Sequence, residues 1–384
     1  MMNGARRFWL NVHLWTGLVA GLFMVILGIS GSALIWHDGL DELLNPQRAA
    51  STAAPALPAA SYLDSAAAAL GEDARLSSLR MPEAAGEAVR VTGMVPVAEG
   101  RPRFLTAWLE PADARVLDSG DSRQSLVGVL HVLHGSLLIP QWSGRQIVGW
   151  LGVVMAISAA TGIWLWWPRV GSLLKALWWR RGRKPTANLH NVLGAWIAVP
   201  LFVVSVTGVY ISFPQAARAL FGPAETETGG APRPSRFAPP LENPALSPDG
   251  ALELALAAEP GARLVSLSLP TEPLPAWRVQ LAGDGGAPVT LEIDDASSEV
   301  RPVAVTAPGS ADPVARLMRQ VHDGHGMGLV WQVLVFLSGL LPALLWVTGI
   351  FMWLRRRRVR RPGAARPGAG RARDAAAPAA RPAG

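Results

Sequence analysis

The chain contains no cysteine. Disulfide frameworks, iron–sulfur clusters and thiol catalysis are therefore excluded, and any metal or cofactor must be held by His, Met or carboxylates. Charge is scarce as well: 16% of the 384 residues are charged, against about a quarter in ordinary soluble domains. It is missing altogether from four windows, 8–37, 146–168, 185–217 and 324–354. Each window supplies the roughly 20 apolar positions that carry a helix across about 30 Å of hydrocarbon. What is plentiful fits the same environment, since half of the residues are hydrophobic and 16 are Trp, a residue favoured at membrane interfaces. The first window follows Arg6 and Arg7 as a secretory signal would, but it is too long and ends at Trp36-His37-Asp38 without a small-residue cleavage site. It reads as a retained anchor.

Basic residues orient these spans. Arg6 and Arg7, six Lys or Arg between the second and third windows, and ten Arg after the fourth amount to eighteen basic residues against one acid, Asp374. That bias places both termini and the 169–184 loop in the cytoplasm. The sequence pI of 10.9 then reflects topology and gives no support to nucleic-acid binding.

The expected organisation is a transmembrane helix at 8–37, a small α+β domain at 60–120, a histidine-bearing segment at 124–140 and a second helix at 146–168. After the basic loop come a third helix at 189–214, a second α+β domain at 245–305, a fourth helix at 326–354 and a disordered basic tail at 355–384. Each domain reads as one helix followed by three strands, a turn and a fourth strand, too small to hold a large core alone and in need of support from its neighbour or the membrane helices.

The two halves repeat. His13-x3-Gly17 and Ser30-Gly31 match His190-x3-Gly194 and Thr207-Gly208; His131-x2-His134-Gly135 matches His322-x2-His325-Gly326; and the second and fourth helices end in Thr161-Gly162 and Thr348-Gly349. The chain is a duplicated helix–domain–helix unit whose copies run in the same direction. That implies a pseudo-twofold axis along the membrane normal, which brings equivalent residues face to face.

All seven histidines lie in or beside the membrane segments: His13 and His190 near one face, His37, His131, His134, His322 and His325 near the other. A single interfacial histidine is ordinarily satisfied by a loop carbonyl or a headgroup. A repeated set at matching depth points to redox-metal ligation, because an imidazole buried in lipid needs a partner and a haem iron supplies one. Gly17, Gly21, Gly194 and Ala195 would let a flat porphyrin approach. His37 has no counterpart in the second half, where Pro214 stands. Arg145 reads as a headgroup anchor, with a haem propionate as its other candidate partner.

Several of these segments together resemble the PepSY-associated transmembrane helix family: Asn11-Val-His13-Leu-Trp-Thr-Gly17, His131-Val-Leu-His134-Gly, Gly144-Arg145-Gln, Thr161-Gly-Ile-Trp-Leu-Trp-Trp-Pro168 and Asn188-Leu-His190-Asn-Val-Leu-Gly194. The resemblance implies a four-helix membrane bundle carrying two extracytoplasmic PepSY-like domains. It also implies two b-type haems with bis-histidine ligation, and for some members reduction of ferric siderophores. On that basis His13 and His190 hold one haem and His134 and His325 the other, with His37, His131, His322 and Arg145 as alternative ligands or supporting contacts. The expected partners are a ferric siderophore or other ferric chelate bound between the two domains, a cytoplasmic reductant or quinol as electron donor, and membrane lipid. No dinucleotide fingerprint follows the fourth helix, so the donor is external. The rival is a non-enzymatic protein that binds peptides or restrains an extracytoplasmic protease. Coupled transport is disfavoured, since no membrane carboxylate or broken helix is expected.

Overall fold

The computed structural model describes residues 4–52, 57–97, 102–167, 177–178, 184–221, 238–283, 288–303 and 313–360. The greater part of the basic loop and of the tail lies outside these residues. Three described helices are long and apolar enough to cross a membrane: α6 (Gly144–Trp166), α7 (Pro185–Ser212) and α11 (Leu329–Arg360). A bent apolar pair, α1 (Gly4–Val19) and α2 (Gly21–Ile35), which meet at 63°, makes a fourth when the two are counted as one span.

That bend corrects the expectation of unbroken helices. Ala20 and Met24 still donate to Thr16 and Ala20 carbonyls at 3.1 and 3.0 Å, so hydrogen bonding continues through the corner. Thr16 Oγ1 donates back to the Val12 carbonyl, and the Trp346 indole fills the space a Cβ at Gly21 would occupy. A hydroxyl bonded into the preceding turn and a bulky ring wedged against glycine are both recognised causes of kinks.

The spans pack in two close pairs. In α2 and α11 the backbones of Gly28 and Gly339 touch, and Ser32 donates to the Phe336 carbonyl at 2.7 Å. In α6 and α7, Gly149 receives the Phe213 ring and Gly152 meets Val209. Small residues let helices approach where lipid offers no hydrophobic drive between them. The remaining faces present bare apolar side chains, among them Leu22, Phe23, Trp150, Val199 and Val330, as lipid contact requires.

Between α2 and α6 the chain forms α3 (His37–Leu44), a 3-10 turn, α4 (Ala59–Leu70), β1 (Arg75–Arg80), β2 (Val89–Val95), β3 (Arg103–Leu109), β4 (Val116–Asp121) and α5 (Leu126–Ser136). Between α7 and α11 it forms α8 (Pro214–Phe221), α9 (Pro248–Ala258), β5 (Arg263–Ser268), β6 (Ala276–Ala282), β7 (Val289–Asp294), β8 (Val300–Val303) and α10 (Pro313–Asp323). These inserts join the same ends of the spans, here termed the sheet side. The opposite end, carrying the described start and finish of the chain, is the tail side.

The two inserts build one antiparallel sheet ordered β4-β3-β2-β1-β5-β6-β7-β8. β1 and β5 join the halves, with Leu79 opposite Leu267 and Ser78 opposite Ser268. One core runs under both halves: Tyr62, Leu79, Val89, Val91 and Leu109 from the first, Leu267, Trp277, Val279, Leu281 and Ile293 from the second, covered by α4 and α9. The helices are tied across the seam as well, since Asp249 of α9 accepts from the Ala59 amide at 2.7 Å. The expected need for mutual support is met by sharing a single core.

A carboxylate closes each half in the same way. Glu110, at the end of β3, accepts from the Ser51 and Thr52 amides, and Asp295, after β7, accepts from the Ala245 and Leu246 amides and from the Trp277 indole at 2.8 Å. Each pins the linker that leads into its helix.

Candidate functional site

The seven histidines fall into three groups. His13 of α1 and His190 of α7 face each other with ring centres 6.4 Å apart. His134 of α5 and His322 of α10 face each other at 6.1 Å. His37 lies 5.8 Å from His131 and 5.7 Å from His325. The structure thus brings His13 to His190 as the repeat requires, whereas the ring facing His134 is that of His322, and His325 joins His37.

Each ring of the two facing pairs is held by one device. His13 Nδ1 lies 3.0 Å from the Ser158 carbonyl and 3.1 Å from Thr161 Oγ1 on α6. His190 Nδ1 lies 2.9 Å from Thr348 Oγ1 on α11. His134 Nδ1 lies 2.9 Å from the Leu27 carbonyl, beside Ser30 on α2. His322 Nδ1 lies 3.0 Å from the Val204 carbonyl and 3.1 Å from Thr207 Oγ1 on α7. A carbonyl can only accept, and the four hydroxyls already donate to carbonyls one turn back in their own helices. Nδ1 therefore carries the proton in every ring and Nε2 presents its lone pair. No Nε2 of these four rings has a hydrogen-bond partner among the described residues.

The glycine after each hydroxyl completes the seat. A Cβ at Gly31 would lie 2.7 Å from His134 Cε1, at Gly208 3.0 Å from His322 Cε1, at Gly162 3.2 Å from His13 Cε1 and at Gly349 3.7 Å from His190 Cε1. The Ser/Thr-Gly dipeptides that mark the sequence repeat are thus receptors for histidines on other helices. Ser30-Gly31 sits on the same span as His13 but serves His134. A one-dimensional reading aligns these pairs without revealing what they do.

The pairing of His134 with His322 also re-registers the repeat. Motif matching equates His131 with His322, an offset of 191 positions. Leu79 and Leu267, opposite each other in the seam, are offset by 188, and so are His134 and His322. The equivalence of His134 and His322 is shown by their seats, Leu27 with Ser30-Gly31 and Val204 with Thr207-Gly208, which occupy matching places on α2 and α7.

The two pairs lie at different depths. On α7, His190 and the Val204–Gly208 seat of His322 are at least fourteen positions apart, about 21 Å at 1.5 Å per residue. Two imidazoles bound on opposite sides of one iron, each nitrogen about 2 Å from it, have ring centres about 6 Å apart, and both pairs match that separation. Gly17 has open space where a Cβ would stand, while Gly21 is taken by Trp346. The Trp346 indole N–H is buried without a partner among the described residues, three residues before the Gly349 seat of His190. The paired lone pairs, the open flank at Gly17 and this unanswered donor fit a bis-histidine haem. Arg145 donates to the Ile211 carbonyl at the end of α7. No three His, Asp or Glu side chains among the described residues are closed round one point as a metal ion alone would need.

The family whose sequence pattern is described as the PepSY-associated TM region matches residues 10–356. No curated protein matches the chain.

Proposed function

The chain belongs to the family of the PepSY-associated TM region, and from that membership together with the paired imidazoles we propose that it conducts electrons across the bacterial inner membrane to a ferric chelate. The carrying observation is the twofold set of four histidines, each with Nδ1–H tied down, whose rings face each other in two pairs about 6 Å apart. His13 and His190 would hold one haem on the tail side, and His134 with His322 a second on the sheet side. Haem supplies one-electron exchange between ferric and ferrous iron, which no side chain of this chain can provide.

The protein's own residues set the conditions. Nδ1–H bonds to carbonyl and hydroxyl oxygen fix the tautomer, stop ring rotation and make Nε2 a stronger donor. Lipid-facing Val, Leu and Phe around the spans keep water and stray protons away. The basic loop and tail put the tail side in the cytoplasm, where a reductant or quinol would deliver electrons, and the sheet side in the periplasm.

The PepSY-like halves are zipped together along β1 and β5, so a chelate is better placed elsewhere than between them. A polar cavity of about 430 Å³ opens between α3 and the start of α5, with Asp41, Arg48, Asp121 and Gln124 on its walls, and it adjoins the turn that carries His131. Its volume suits a small-molecule ligand. A ferric siderophore reduced there to Fe(II) would be held less tightly by its hard oxygen ligands and would release the metal. The peptide-binding alternative leaves the four anchored rings without a purpose.

The test is purification in mild detergent from cells supplied with haem. The expected product is red, carries two haems per chain and is reduced by dithionite. His13→Ala or His190→Ala should remove one haem, and His134→Ala or His322→Ala the other. A colourless, folded protein would sink the proposal.

A further inference from the structure

One buried polar group is left unanswered on the tail side. Among the described residues, the Trp346 indole N–H is the one buried side-chain polar atom without a hydrogen-bond partner. An orphan of that kind calls for a partner that is not protein. A Cβ built on Gly21 would fall 2.5 Å from Trp346 Nε1, so the indole lies directly against the first residue of α2.

The start of α2 is itself a set of donors. Two hydrogen bonds cross the corner, from Ala20 to Thr16 and from Met24 to Ala20. Among the described residues, no backbone carbonyl answers the Gly21, Leu22 and Phe23 amides that fall between them, as at the opening of any new helix. Ala20, in the capping position, offers no side-chain oxygen. The 15 residues of α2 bring the positive end of their dipole to the same place. The first span beyond Arg7 and α11 before Arg355 hold no Lys or Arg, so from these helices a negative charge meets neutral donors alone.

The place is close to the tail-side histidine pair. Gly21 follows His13 by eight residues, about 12 Å along a straight helix. The 63° bend reduces that to about 5 Å of depth along α2 and turns the remainder sideways. On α11, Trp346 stands two residues before Thr348, whose hydroxyl holds the His190 ring. Open space at Gly17, one turn beyond His13, adjoins both.

We propose that the N-terminus of α2 and the Trp346 indole form a carboxylate site, filled by a propionate of the haem that His13 and His190 would hold. The inference rests on the haem reading given above. A site built only of N–H donors takes an acceptor and refuses a cation. A carboxylate answers several donors at once through charge-assisted bonds, and a helix N-terminus favours its charge. The corner then has a purpose. A straight first span would tie the amides of Gly21, Leu22 and Phe23 to its own carbonyls and leave no site. A free fatty acid carries the same group, and the test separates the two sources.

The test compares a porphyrin that has the carboxylates with one that lacks them. The parent is full-length protein carrying His134→Ala, so that only the tail-side pair loads. It is stripped of haem in detergent and reconstituted with haem or with haem dimethyl ester, and release to excess apomyoglobin is followed by absorbance. The ester should leave at least about tenfold faster than haem, the loss expected for a hydrogen bond to a charged group. Trp346→Phe keeps a ring in the wedge and removes the N–H. It should speed haem release by a similar factor and leave ester release unchanged. Equal release of haem and ester from the parent, or of haem from the parent and Trp346→Phe, overturns this proposal, while the red protein upholds the electron-transfer reading. Equal release with a fatty acid recovered from the purified protein assigns the site to lipid and overturns it too. A colourless protein overturns both. The comparison of haem with ester needs no change at Trp346, so it decides the matter even where that variant fails to fold.

Discussion

At the scale of single residues, the design lies in what holds the histidines more than in the histidines themselves. Losing an acceptor for a metal-bound imidazole typically weakens metal affinity 10–100-fold, so Thr161→Val and Thr348→Val should each weaken haem retention at the His13–His190 pair by about that factor and leave the other pair loaded. Haem content after dilution, followed by absorbance, measures it; equal loss from both pairs would deny the seats their separate roles. Gly31→Val should act on the other pair, since even a Cβ there meets the His134 ring at 2.7 Å. The sequence made His13 and His190 legible, because one repeat offset and matched depth suffice to pair them. It misled on His134 because His-x2-His puts both rings on neighbouring parts of one helical surface. The literal motif then matched the wrong turn of the helix, and only the three-dimensional meeting of His134 with His322 distinguishes the two.

At the scale of elements, the order of one helix, three strands, a turn and a fourth strand in each insert was legible because one face is buried and the other polar, so apolar residues alternate and turns interrupt them. β6 shows the alternation, with Trp277, Val279 and Leu281 buried and Arg278 and Gln280 between them. The corner between α1 and α2 was not legible. Gly17 and Gly21 read equally as packing residues, and the wedge comes from Trp346, over 300 positions away. Glu110 is a strand-end carboxylate whose importance also needed the structure. The Ser51 amide and the Thr52 hydroxyl that it accepts from hold its pKa down at about 2. A folded pKa below the unfolded value means the stabilisation is complete above about pH 4.5 and is lost as the pH falls toward 2. Glu110→Gln should therefore lower the thermal midpoint at pH 7, and the gap to the parent should narrow steadily as the pH falls from 5 to 3. Near-ultraviolet circular dichroism follows this, and a gap that stays constant with pH would contradict it.

At the scale of the whole molecule, the sheet makes the halves interdependent. Leu79 and Leu267 are fully buried against each other's strands, and α4 and α9 share one core. A segment covering 57–122 alone should fail to fold, giving a flat thermal transition and rapid proteolysis. Within the full chain, Leu79→Ala should cost about 2–5 kcal/mol in the sheet, as burial of this kind implies. Cooperative unfolding of the isolated half would show that the shared core is dispensable.

The register at the seam has a further consequence. Leu79 lies opposite Leu267, its own equivalent, while Ser78 pairs with the equivalent of Arg80 and Arg80 with that of Ser78. Such reciprocal pairing is the signature of a self-complementary contact between identical subunits. A half-length chain would therefore carry an uncovered β1 edge and one ring of each facing histidine pair, and a second copy of the same half would complete both.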